Sequence, residues 1–417
     1  EERALFNHIL ASIDPEDGRT CYMVPVGRGV RHDYQDMFND FTCCVGSGME
    51  SHALHGDGIY YESGDRLWIN LYVPSTANWN GGTVTMSTTF PEGDAASLKL
   101  TLPRPKPFTL ALRRPSWAGE GFAVKVNGTS IGTLAQPGSY VELKRTWKTG
   151  DSVSLVLPKT LHIEALADNN RRAALMWGPL VLAADLGPER RSGPAESPSL
   201  VTSDKPLTEW LQPVADNLGV FRTVGVGRGT DGQASEVEFV PFYKLHRRTY
   251  SVYWDLDTND SWTKKIEELK VERARQQKLE AATVAFVQPG VAEKEKSFNL
   301  KSEESSPDGE VGRVGRRSKK WFSYELPVDP ARPLALVATF NNQERAKRSF
   351  EILVDGQTIG EGTIERYPPG SPTARFYDVD YKIPAELVKD KQTVTVRFQA
   401  TGGNETATVY GIRIITR

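Results

Sequence analysis

The sequence predicts a mainly β protein built from β-sandwich domains, and three observations carry that prediction. Short segments alternating apolar and polar residues recur from Leu67 onward, each closed by a turn signal. The 36 glycines and 26 prolines supply those turns. Helical periodicity is confined to the first residues, a short glycine-rich segment after Cys43 and one charged stretch near residue 270. The 417 residues allow two to four domains at ~100–200 residues each.

The elements follow in order. Leu5, Ile9 and Ile13 fall on one helical stripe flanked by Phe6 and Leu10, so residues 1–13 read as an amphipathic helix. Asp14-Pro15-Glu16-Asp17-Gly18 ends it. No N-cap signal precedes Glu1, so the chain reads as one entered within a helix, with part of the native protein expected upstream. A loop-like stretch runs from Cys21 to Phe41. The Cys43–Tyr61 stretch starts with a turn and continues as a helix, which its glycines weaken. Strands are predicted at Leu67–Val73, Thr83–Thr89, Ser97–Leu102, Phe108–Arg113, Phe122–Val126, Tyr140–Leu143 and Ser152–Leu157, spaced as in an antiparallel sandwich. Asn127-Gly128 is a hairpin turn signal. Residues 187–235, rich in Pro, Gly and Ser, are expected to run over the surface, and strand character resumes at Glu236–Val240. Trp262–Ala281 carries dense charge around Ile266, Leu269 and Val271, a linking helix. A second β-rich block starts near Thr283, with strands at Trp321–Leu326, Leu334–Phe340, Ser349–Val354, Thr393–Phe398 and Val409–Ile415; it reads as a separate jelly-roll-like sandwich. Within it, Gly312–Lys320 reads as a solvated basic loop.

Composition excludes several function classes. The net charge of −2 gives no electrostatic footprint for nucleic acid or an anionic membrane. No apolar run approaches the ~20 residues of a membrane-spanning helix. Three cysteines cannot form a disulfide framework.

Two of those three cysteines stand side by side in Phe41-Thr42-Cys43-Cys44-Val45-Gly46-Ser47-Gly48-Met49-Glu50-Ser51-His52. The residues leave four readings open: small apolar core fillers, a strained disulfide between neighbours, two soft zinc ligands, or a nucleophilic thiolate beside a metal anchor.

At this point the chain resembles the bacterial β-L-arabinofuranosidases of glycoside hydrolase families 127 and 146. The likeness begins at Glu2-Arg3-Ala4-Leu5-Phe6-Asn7-His8-Ile9-Leu10-Ala11-Ser12 and is most specific at Cys43-Cys44-Val45-Gly46-Ser47-Gly48-Met49-Glu50-Ser51-His52. It continues at Leu110-Ala111-Leu112-Arg113-Arg114-Pro115-Ser116-Trp117, at Trp177-Gly178-Pro179-Leu180-Val181-Leu182-Ala183 and at Pro241-Phe242-Tyr243-Lys244-Leu245-His246. The resemblance implies β-sandwich domains that follow the last part of an (α/α)6-barrel catalytic domain whose N-terminal portion is absent. On that basis residues 1–65 are the end of the barrel, 66–256 a β-sandwich domain with the surface loop near 187–235, 257–282 the linking helix, and 283–417 an accessory sandwich with a carbohydrate-binding or packing role. In that last block Arg366-Tyr367 and Phe376-Tyr377-Asp378-Val379 stand out.

The resemblance further implies a Zn2+ ion held by three cysteines and a glutamate, with Cys43 as nucleophile and Cys43 and Cys44 on the metal. The remaining ligands and the glutamate acid/base are implied upstream, on an N-terminal fragment that would complete the barrel; Cys21 matches no ligand position. A free thiol near pKa ~8.5 is mostly protonated at neutral pH, and a zinc ion removes that proton. Cys43 would attack the anomeric carbon, and water would release the sugar with retention. Glu50 and His52 are candidates for sugar contact or for orienting a ligand, against the ordinary reading of a surface pair on a helix. His32, beside Asp33 and Tyr34, is a candidate for lining the sugar pocket, against a solvated polar loop. The implied partner is an oligosaccharide or polysaccharide, and the implied location the periplasm or the exterior, with the cytoplasm as alternative. The leading expectation is a retaining hydrolase releasing β-L-arabinofuranose from plant-type glycans, with the isolated chain inactive. A non-catalytic carbohydrate-binding or structural sandwich protein, or a related glycosidase for another sugar, stands beside it.

Overall fold

The computed structural model describes residues 1–189, 197–310, 313–342, 344, 346–364 and 376–417. These form two compact units, Glu1–Ile266 and Glu267–Arg417. Strands dominate both. Arg366-Tyr367 lies outside the described residues.

The first unit opens with three short helical pieces, Glu2–Ala4, Leu5–Ile9 and Leu10–Ser12, which together occupy the stripe predicted for a helix. Leu5, Phe6 and Ala11 point inward, and Phe6 meets Phe90 edge-on at 5.3 Å. Two polar side chains fasten this segment. The buried Glu2 carboxylate accepts from the Arg113 guanidinium and, at 2.8 Å, from the Trp117 indole N–H. The Asn7 amide donates to the Pro179 carbonyl and accepts from the Val181 N–H, both at 2.7 Å, so it pairs with that hairpin as a peptide group would.

Behind it lies a β-sandwich. One sheet runs Thr129–Ser130, Ala123–Val126, Ser152–Val156, Ala95–Thr101, Gly82–Thr88, Ser75–Trp79. The facing sheet runs Ser139–Trp147, Lys106–Arg114, Arg66–Ile69, Tyr60–Ser63. Period-two alternation decides which side chains enter the core: Ala96, Leu98 and Leu100 point inward from one strand, Val153 and Leu155 from its neighbour. Asn127 and Gly128 have φ of 51° and 81°, the left-handed pair that a two-residue hairpin requires. Lys159 ties the next turn down. Its ammonium donates to the carbonyls of Pro91, Glu92 and Gly93 and sits 4.3 Å from the centre of the Trp177 ring. Burial pushes its pKa down to about 8.

The described parts of residues 187–235, namely 187–189 and 197–235, depart from the expected surface course. Ser199–Val201 pairs in parallel with Trp254–Asp257, and Leu211–Pro213 and Phe221–Thr223 join a mixed sheet that starts at Leu161–Leu166. Leu200, Trp210, Phe221 and Val226 are buried there. These anchors are spaced irregularly among turn residues, so composition conceals a core that no single period announces.

In the second unit a four-stranded sheet (Thr283–Val287, Gly411–Thr416, Leu334–Asn341, Phe376–Ile383) faces a five-stranded one (Lys301–Glu310, Arg313–Pro327, Thr393–Ala400, Arg348–Val354, Gln357–Ile364). Gly312–Lys320 was expected as a basic loop. Its described part is strand, and Arg316 is buried against Glu295. Glu295, 2 % exposed, accepts from Arg316 at 2.5 and 2.7 Å, from Tyr324 at 2.7 Å and from the Gly290 N–H at 2.7 Å. Arg316 also donates to Ser305 at 3.0 Å. Charge alone marked this stretch as solvated; a facing carboxylate reverses that.

The helix Asn259–Ala282 buries none of its residues. Same-face pairs such as Lys270–Glu267 and Arg275–Glu272 line it.

The Glu295–Arg316 pair generates a stability prediction. Glu295→Ala leaves a buried guanidinium unpaired and is expected to cost about 3–5 kcal/mol. Urea unfolding read out on the second unit checks this; a loss below about 1 kcal/mol, the scale of a surface pair, refutes it.

Candidate functional site

The cysteine segment folds as a helix, Cys43–Ala53, with Thr42 extended at its N-cap. Gly46 and Gly48 lie inside it with ordinary helical backbone. Cys43 and Cys44 occupy its first turn, where unpaired N–H groups favour negative charge. Both thiols are exposed, and their sulfurs lie 3.9 Å apart. The hydrogen bond to the Cys43 sulfur, with a lesser contribution from burial, pushes the Cys44 thiol up.

That separation bears on metal binding. Two thiolates on one tetrahedral zinc at about 2.3 Å each lie about 3.8 Å apart. The pair therefore fits half of a zinc site. Among the described residues no group of three or more His, Cys, Asp or Glu side chains could hold a metal ion. Cys21 does not add to the pair. It is buried on the strand Cys21–Met23, and burial, then Asp33 and Asp14, push its thiol up to about 12.

Glu50 is exposed on the same helix, seven positions beyond Cys43. Two turns place it on the Cys43 side, about 10 Å along the axis. That spacing exceeds the about 5–5.5 Å between acid and nucleophile in a retaining glycosidase, so Glu50 does not fit the place of an acid paired with Cys43. His52 and His55 form a pair, Nε2 of His55 lying 2.8 Å from Nδ1 of His52. Partial burial and then His55 push His52 below the usual imidazole range.

The helix buries none of its residues. Apolar side chains around it face outward: Phe38 is 90 % exposed, Phe41 76 % and Met49 60 %.

His32 stands apart from this surface. It is 3 % exposed and stacks on Tyr34, Phe242 and His246, with Tyr250 tilted against it. Tyr34 Oη meets His246 Nδ1 at 2.7 Å. Burial, then the His246 charge, pushes His32 down to about 4. Its place is a packed aromatic cluster. The sequence signal was the run from Pro241 to His246, but nothing in its spacing showed that it would meet residues 32–34.

Comparison with known proteins divides the chain. Residues 1–57 match the family described as β-L-arabinofuranosidase, GH127 catalytic domain, and residues 66–159 the β-L-arabinofuranosidase, GH127 middle domain. Residues 278–415 match a family of unknown function (DUF6805). No curated protein matches. Among solved structures, a GH127 β-L-arabinofuranosidase from Geobacillus stearothermophilus T6 is 21 % identical over 61 % of this chain and 45 % of its own, with a TM-score of 0.45. A second GH127 β-arabinofuranosidase is 18 % identical over the same shares, with a TM-score of 0.46. A family 35 carbohydrate binding module from Clostridium thermocellum is 12 % identical over 32 % of this chain and all of its own, with a TM-score of 0.24. The chain thus spans about half the length of the two enzymes it resembles.

Two predictions follow from this geometry. An aromatic disulfide reagent is expected to titrate Cys43 and Cys44 in the native chain and Cys21 only after unfolding; three equally fast thiols contradict the burial of Cys21. His32 has a folded pKa of about 4 against an ordinary 6.5, so the unfolded chain binds more protons between those values. Its contribution is present above pH 6.5 and is lost as pH falls toward 4, by up to roughly 3 kcal/mol. His32→Phe is expected to flatten the unfolding midpoint across that window, whereas an unchanged pH slope assigns the effect to another group.

Proposed function

From the match of residues 1–57 to the GH127 β-L-arabinofuranosidase catalytic domain and of residues 66–159 to its middle domain, we propose a retaining glycoside hydrolase that releases β-L-arabinofuranose from plant-type glycans. The observation that carries the proposal is the pair of exposed sulfurs 3.9 Å apart on the first turn of a helix, inside the segment matched to the catalytic domain. A structural cysteine pair would be buried; this one faces outward at a spacing that suits a shared metal.

In this reading Cys43 is the nucleophile. Its sulfur bonds to the anomeric carbon while the bond to the leaving oxygen breaks, and water then displaces the sulfur with net retention. Cys43 and Cys44 would hold a zinc ion, whose charge keeps thiolate present at neutral pH. Glu50 and the His52–His55 pair are proposed to meet sugar hydroxyls further along the helix. The outward Phe38, Phe41 and Met49 support a catalytic domain that continues over this surface and brings the remaining ligands and the acid. The 417 residues alone are then expected to be inactive. Plant-type glycans lie outside the bacterial cell, which favours a periplasmic or secreted protein.

The test needs the complete catalytic domain. Cys43→Ser is expected to lower turnover on the order of 10³-fold or more, and Cys44→Ser to reduce zinc measured by elemental analysis of the purified protein. Undiminished turnover in Cys43→Ser removes the sulfur from the mechanism. Arabinose release by residues 1–417 alone overturns the expected need for further ligands.

A further inference from the structure

On the outer face of the five-stranded sheet in the second unit, among the described residues, one guanidinium has no hydrogen-bonding partner. Arg313–Pro327, Thr393–Ala400 and Arg348–Val354 lie side by side. Phe322, Phe398 and Ile352 enter the core, so their neighbours Trp321, Arg397, Gln399 and Glu351 turn to the opposite face. Register sets Trp321 opposite Gln399, and Gln399 opposite Glu351. The Arg397 guanidinium lies over the Trp321 indole, 4.1 Å from the ring centre.

Among the described residues Arg397 makes no hydrogen bond or ion pair, and its buried Nε has no acceptor. The carboxylate that feels its charge, Glu303, is already engaged by Lys320 at 2.5 Å and by the Trp321 N–H at 3.0 Å. A surface arginine ordinarily sweeps through solvent; this one is held by an aromatic ring while its hydrogen-bonding edge stays unclaimed.

We propose that this face binds a neutral polysaccharide, with Arg397 as its anchor. The guanidinium fork donates to two adjacent ring hydroxyls. Gln399 and Glu351, beside it on the sheet, offer a donor and acceptors, the mixture that hydroxyls require because each both gives and takes a proton; Glu351 accepts from the Thr358 hydroxyl at 2.9 Å and, as a carboxylate, keeps further lone pairs. Charge argues against an acidic chain: Glu351 has Glu361 as its cross-strand neighbour, and both would face an incoming carboxylate. The inference shares with the proposed hydrolase only the expectation of a glycan partner, and it is tested by binding alone.

The experiment is affinity electrophoresis of the 417-residue chain in native gels containing linear arabinan, xylan or polygalacturonate. Retardation is expected with at least one neutral polymer and is expected to persist at roughly 0.5 M salt, where charge–charge attraction is largely screened. Arg397→Gln is expected to weaken binding about tenfold or more, and Trp321→Leu, which removes the support beneath the fork, to act likewise. If either variant fails to fold by circular dichroism, Gln399→Ala with Glu351→Ala leaves the stacked pair in place and carries the same expectation of weakened binding. Trp321 and Arg397 lie outside the segments matched to the β-L-arabinofuranosidase domains, so loss of retardation in their folded variants assigns the binding to this face independently of the hydrolase. The proposal is overturned if no neutral polymer retards the chain, if the folded Arg397 variant binds as the parent, or if polygalacturonate alone retards it and salt abolishes that.

Discussion

The placement of the N-terminal segment of the first unit depends on how Glu2 and Asn7 grip the β structure. Glu2 is a buried carboxylate with donors on the sandwich, and Asn7 substitutes its amide for a missing strand at the Pro179–Val181 turn. Each such bond contributes only about 1 kcal/mol net. Their larger effect is on direction, because a helical segment held at both ends cannot roll. The stretch that follows is held by the two-stranded pairing of Cys21–Met23 with Asp33–Tyr34, by backbone bonds from Val30 to Tyr250 and from Val252 to Gly27, by Arg28 on the Ser197 and Pro198 carbonyls, and by the rings packed around His32.

The cysteine helix itself has an unusual balance. Its glycines and its first-turn sulfurs give it little intrinsic stability. Nothing beneath it compensates, since no residue of Cys43–Ala53 is buried. In sandwich strands such as Ala95–Thr101 and Ser152–Val156, apolar alternation and burial coincide. A segment that breaks this consistency while concentrating thiols, imidazoles and a carboxylate is where chemistry is expected to reside.

How much of this was legible depended on period. Ala95–Thr101 alternates strictly, and its strand was readable with nearly its observed ends. Asn127-Gly128 announced its hairpin because few other residue pairs tolerate two left-handed conformations in succession. Residues 199–228 were opaque because their core residues come singly between turns. Arg316 was opaque for a different reason: its sequence neighbours are basic, while Glu295, which buries it, lies 21 positions away. At the site, the cysteines stood out by rarity and adjacency. The 3.9 Å approach of their sulfurs required a helix to begin at Cys43. His32 misled because polarity beside an aspartate looks solvated, and the rings that enclose it arrive from positions 242–250.

The helix Asn259–Ala282 carries one more implication. It contributes no residue to any hydrophobic cluster, and every residue of the second unit's cluster lies beyond position 282. A genetic crossover within it would join two gene segments without disturbing side-chain packing on either side. Recombination at this helix would carry residues 278–415, the segment that matches DUF6805, as a ready-made cassette between unrelated first units.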